Sequence, residues 1–171
     1  MPLPRRLLSA IPLLFTAIFI TGCASPPPYR YRYIPGKTAI LRNGYAIPPE
    51  GAPRAVKAAI EAGNQIAGKP YRYGGGHRSF YDSGYDCSGA ASYVLRAAGR
   101  LRSPITSKQF RKYGRRGHGK WISIYARRDH VFLVVAGLRF DTGWGNGASG
   151  PQWTTAPRPT KRCVVRHPKG L

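Results

Sequence analysis

Residues 121–141 restrict the fold more than any other stretch of the chain. His130-Val131-Phe132-Leu133-Val134-Val135 is rich in β-branched and aromatic side chains, and Ala136-Gly137 separates it from Leu138-Arg139-Phe140-Asp141. Two short apolar runs joined by a two-residue turn predict an antiparallel hairpin. Trp121-Ile122-Ser123-Ile124-Tyr125 alternates ahead of it as a further strand, and residues 161–166 read as a closing strand.

Upstream the period changes. Val56, Ala59, Ile60, Gly63, Ile66 and Ala67 recur at three- and four-residue spacing, so residues 55–67 predict a helix that Gly68-Lys69-Pro70 stops. Residues 88–98 predict a second, Ala-rich helix with Gly99 at its C-terminal end. Tyr71-Arg72-Tyr73-Gly74-Gly75-Gly76 is a glycine-rich loop, residues 104–119 a loop with a short helical piece near 106–113, and residues 143–150 another glycine-rich loop. Helices first and an antiparallel sheet afterwards define an α+β domain, and 171 residues leave room for one.

The N-terminus reads as a processing segment. Arg5-Arg6 precede an apolar run over residues 7–20 that is short for a membrane span, and the run ends at Ile20-Thr21-Gly22-Cys23. This tetrad resembles the bacterial lipobox, which implies cleavage before Cys23 and lipidation of its sulfur. The expected organisation is a signal peptide over 1–22, a lipidated, Pro/Tyr/Arg-rich tether over 23–50, and a catalytic domain over 51–171. Pro26-Pro27-Pro28 favours an extended tether, and Tyr29-Arg30-Tyr31-Arg32-Tyr33 reads as linker or surface arm. The expected location is the cell envelope, facing the periplasm or exterior. In a Gram-negative cell, Ala24 after the lipid cysteine favours the outer membrane.

Twenty-eight Lys and Arg against six Asp and Glu give a formal charge of +22. Such a surface attracts polyanions at short range. Export turns that expectation away from nucleic acid and towards anionic headgroups and the carboxylates of wall peptides. Export also permits a bridge between Cys87 and Cys163. The alternative is a free Cys87 and a Cys163 that packs as a small apolar residue.

Asp86-Cys87-Ser88-Gly89 opens the second helix. A thiol there faces unpaired backbone amides and the positive end of the helix dipole, which favour thiolate. The same amides can bind the oxygen that becomes anionic when a carbonyl is attacked. A histidine must then move the proton. His77 and His118 lie among glycines and His167 near the terminus, whereas His130 opens an apolar strand that would hold its ring. The hairpin offers Asp141 or Thr142 to orient His130, a one-residue register change exchanges them, and His167 is a further candidate. Asp129, adjacent to His130, is expected to point away from it. The histidines show no tight metal-ligand spacing, and no metal or organic cofactor is expected.

Gly68-Lys69-Pro70-Tyr71-Arg72-Tyr73-Gly74-Gly75, then Asp86-Cys87-Ser88-Gly89, then His130 opening an apolar strand, resembles the NlpC-type cysteine peptidases of cell-wall turnover. The resemblance implies a papain-like fold in which the cysteine-bearing helix packs on an antiparallel sheet. It implies hydrolysis of peptidoglycan stem peptides, often between D-glutamate and a diamino acid, through an acyl-enzyme on Cys87. Tyr71 matches a family tyrosine whose hydroxyl points into the site, and Tyr73, Asp86 and Ser88 would line the substrate side. The chain departs from the family in lacking a Gly-Asp pair near residues 121–125 and in having Asp129 where glycine is common. The expected partners are stem peptides and, through Cys23, a membrane, with the protein a monomer. A catalytically silent wall-binding protein, or an amidase or acyltransferase on the same scaffold, are the rival readings.

Overall fold

The computed structural model describes residues 25–143 and 149–171. The signal peptide and lipidated cysteine expected at 1–23 therefore lie outside the described residues, as does most of the glycine-rich loop after Gly143. No described helix is long and apolar enough to cross a membrane.

The described residues form three helices and two sheets. A hairpin of β1 (Ile40–Arg42) and β2 (Tyr45–Ile47) precedes α1 (Arg54–Ile66), α2 (Cys87–Ala97) and the one-turn α3 (Ser107–Phe110). The remaining strands are β3 (Arg115–Arg116), β4 (Ile122–Ala126), β5 (Val131–Val135), β6 (Leu138–Asp141), β7 (Gln152–Thr154) and β8 (Val164–His167). They form one antiparallel sheet in the order β3-β8-β4-β5-β6-β7.

Strand alternation divides the sheet into two apolar faces. Ile122, Ile124, Ala126, Val131, Leu133, Val135, Leu138 and Phe140 join the core that includes Val56, Ile60 and Ile66 of α1 and Val94 and Leu95 of α2. Tyr125 and Phe132 belong to the opposite face and pack with Tyr29 and Cys163, the Tyr125 and Phe132 rings stacked 4.7 Å apart. The β5–β6 turn uses Ala136 at φ 44° and Gly137 at φ 76°, the left-handed pair that suits a two-residue hairpin loop.

The stretch expected to be a free tether is different from Ser25 onward. Tyr29 and Arg158 exchange backbone hydrogen bonds of 2.9 and 3.0 Å, and the Tyr29 hydroxyl donates to Gly137 O at 2.9 Å. Tyr29 is 6 % exposed. The arm covers an apolar sheet face that would otherwise meet water, which explains why aromatic residues follow the prolines. Neither Cys87 nor Cys163 is in a disulfide; Cys163 is buried just before β8.

Candidate active site

Cys87 is the first residue of α2, and Asp86 is its N-cap, with its carboxylate accepting from Gly89 N at 2.7 Å. The cap fixes the helix start and leaves the thiol at the positive end of the dipole. The glycine blocks make this possible by close backbone approach. A Cβ on Gly89 would collide with the Gly75 carbonyl, and one on Gly75 with the Gly84 carbonyl. Asp86 N donates to Gly75 O at 3.3 Å, and Gly74 N donates to the Asp86 carboxylate at 3.1 Å. The glycine-rich loop and the helix start are thus one unit.

His130 stands just before β5. Its Nε2 lies 2.7 Å from Asp141 Oδ1. The register Leu133↔Phe140 and Val134↔Arg139, continued, sets Asp141 opposite Phe132, on the strand face that has the parity of His130. Thr142 has the other parity. Its backbone N–H donates to Asp141 Oδ1 at 2.8 Å, while its hydroxyl is buried without a hydrogen-bond partner among the described residues. Of the expected orienting residues, Asp141 meets His130 and Thr142 supports Asp141. His167 is engaged elsewhere, its Nδ1 2.9 Å from Gly117 O. Asp129 is exposed and pairs with Arg127 at 3.0 Å.

Asp141 is fully buried between cations. Its Oδ2 lies 3.3 Å from Arg158 Nε and 3.7 Å from Arg139 Nε, and both arginines are largely or wholly covered. Arg158 is the residue that the N-terminal arm holds through Tyr29, and Arg139 stands over the Tyr29 ring at 5.8 Å. Burial alone would lower the His130 pKa, but bonds to Asp141 and Cys87 outweigh it and push the value up to about 9. The imidazolium is the favoured form at neutral pH, held between a carboxylate and the thiol.

Cys87 lines a cleft of about 480 Å³ whose walls include Tyr71, Tyr73, His77, Asp86, Ser88, Lys108 and Arg128. Tyr71 forms a parallel bridge with Tyr85. Burial, and the nearby Cys87 and Asp86, raise its hydroxyl above the usual tyrosine range, so it remains a donor at neutral pH. Tyr73 is 92 % exposed at the rim.

His77 is a site residue that sequence reasoning misses. Its Nε2 lies 3.0 Å from Ser88 Oγ and 3.2 Å from Asp86 Oδ1. The three form a polar cluster in the wall of the cleft, and its one signal in the sequence is a histidine between the two glycine-containing motifs. His118 sits against Tyr125. Among the described residues, no three His, Cys, Asp or Glu side chains are grouped as metal ligands.

The fold is shared with a solved structure. The chain is similar to the crystal structure of an NlpC/P60 family protein from Bacillus cereus ATCC 10987, at a TM-score of 0.50 and 19 % identity. The similarity covers 74 % of this chain and 43 % of that one, so the chain spans less than half the length of that protein. No protein-family model and no curated protein matches the sequence. The fold is therefore that of the NlpC/P60 structure, a mixed helical and antiparallel-sheet domain, and any activity must be argued from the site itself.

Proposed function

We propose that the protein is a thiol peptidase of the cell envelope that cuts amide bonds in peptidoglycan stem peptides. The observation that carries this reading is His130, held by Asp141 on one nitrogen and coupled to the Cys87 thiol, with Cys87 lining the cleft. The fold shared with an NlpC/P60 family protein supports it. The Cys87 thiolate attacks the amide carbonyl carbon, and the carbonyl π electrons move to oxygen. The Tyr71 hydroxyl and amides of the first turn of α2 bind that oxyanion. His130 gives its proton to the leaving amine nitrogen as the C–N bond breaks, which leaves an acyl-thioester on Cys87. Neutral His130 then takes a proton from water, whose oxygen attacks the thioester and releases the carboxylate and the thiol. Asp141 keeps the imidazole in one orientation and stabilises its charged form.

The cleft wall carries Lys108 and Arg128 beside Asp86 and Asp129, with Tyr71 and Tyr73. The two cations offer partners for the carboxylates of a wall peptide. In the same reading, residues 1–22 are removed and a lipid on Cys23 holds the domain at the membrane, with the outer membrane its place in a Gram-negative cell.

An acid-quenched reaction with soluble muropeptides tests the covalent step. The mass of the Cys87-containing peptide should increase by that of an acyl fragment of the stem. A reaction that releases cleaved product while Cys87 never carries an adduct, and that persists in Cys87→Ser, would exclude this mechanism.

A further inference from the structure

A second concavity adjoins the cleft and shares Arg128 and Asp129 with it. It measures about 350 Å³ and is lined by Arg111, Arg127, Arg128, Asp129 and Arg162. Four arginines thus surround one carboxylate, which is already paired with Arg127 at 3.0 Å. The Arg111 Nε is buried and has no hydrogen-bond partner among the described residues. A buried guanidinium N–H without an acceptor is costly, and like charges gathered around a groove add repulsion.

Arg162 supplies an independent observation. It sits at φ 64°, the left-handed region that glycine and asparagine occupy more cheaply than arginine. The angle belongs to a turn in which Cys163 N donates to Thr160 O at 2.9 Å. An arginine at such a position is unfavourable for the backbone and places one more cation on the groove.

We propose that this groove is an anion-binding subsite that holds the free carboxylates of an acidic peptide through Arg111, Arg127, Arg128 and Arg162. The planar fork of arginine suits a carboxylate. The choice of ligand rests on the peptidase reading, since the groove continues the Cys87 cleft and a peptide leaving the cleft past Arg128 would enter it. The substrate is then a stem peptide with its carboxylates free, and an amidated one is disfavoured.

The test is calorimetric titration of the full chain carrying Cys87→Ala, in nonionic detergent, with γ-linked triglutamate and with its fully amidated counterpart. The acidic peptide should bind at least about tenfold more tightly than the amide. Arg162→Gly should weaken binding of the acidic peptide by about tenfold and leave the amide unchanged, while the melting temperature holds or rises because glycine accepts the backbone angle. Arg42→Gln, which removes one charge from the β1–β2 hairpin, should change neither affinity by more than about twofold. Equal binding of acid and amide would overturn the proposal, as would equal weakening by Arg162→Gly and Arg42→Gln. Binding is read without turnover, so a chain that binds the acidic peptide but never cuts wall peptide refutes the peptidase reading and leaves the subsite standing.

Discussion

Replacing Asp141 by Asn keeps the shape of the side chain and removes its charge. His130 is raised from 6.5 to about 9, a difference that corresponds to roughly 3 kcal/mol in favour of the imidazolium. Burial, the largest influence on the ring, acts in the opposite direction. Without the carboxylate, the His130 pKa should fall by about two units or more and the ring should be mostly neutral at pH 7.5. The proton that His130 would carry to a leaving amine is then mostly absent at that pH. The assay is the NMR titration of the His130 imidazole across pH 5 to 10. The native ring should titrate near 9 and that of Asp141→Asn at about 7 or below. Thr142→Val should leave the profile in place, because its hydroxyl makes no hydrogen bond among the described residues. Superimposable profiles for the native protein and Asp141→Asn would refute the reasoning.

Three further outcomes follow from the same geometry. Because the folded pKa of His130 exceeds its unfolded value, its contribution to stability is complete below about 6.5 and is lost as pH rises through about 9; melting curves from pH 6 to 10 should show that decline in the native chain and a shallower one in Asp141→Asn. Gly89→Ala should cost about 3 kcal/mol or prevent folding, since its Cβ meets the Gly75 carbonyl, and a denaturant midpoint equal to the native one would contradict that close approach. Tyr29→Ala removes a buried ring beside Arg139 and loosens the arm that pairs with Arg158, so stability measured by denaturant unfolding should fall by about 3 kcal/mol, whereas Tyr29→Phe should retain most of it.

Much of this arrangement was legible from local pattern. The helices at Arg54–Ile66 and Cys87–Ala97 and the strand at Leu138–Asp141 lie where apolar periodicity and the Ala136-Gly137 turn put them. The choice between Asp141 and Thr142 was not legible, because it depends on parity. With a two-residue turn Val135 pairs with Leu138 and Asp141 shares the face of His130, while one more turn residue would exchange them. His77 was missed because its partners, Asp86 and Ser88, are brought to it by a glycine loop that has no period to read. The packing of the arm was not legible, for a longer-range reason. The Tyr29 hydroxyl bonds to a carbonyl 108 residues away, and its ring covers a sheet face whose existence no local signal around Pro26-Pro27-Pro28 announces. Strand β7 offered only Trp153 between Gln152 and Thr154, too short a pattern to identify, although that ring packs on Phe140 at 4.7 Å.

The most direct measurement is digestion of purified peptidoglycan by the native protein beside its Cys87→Ala variant, with the soluble fragments identified by mass. Cleaved stem peptides are expected from the native protein alone, each new end a carboxylate or an amine. Fragments released equally by both proteins, or by neither while both sediment with the wall, would contradict the peptidase reading.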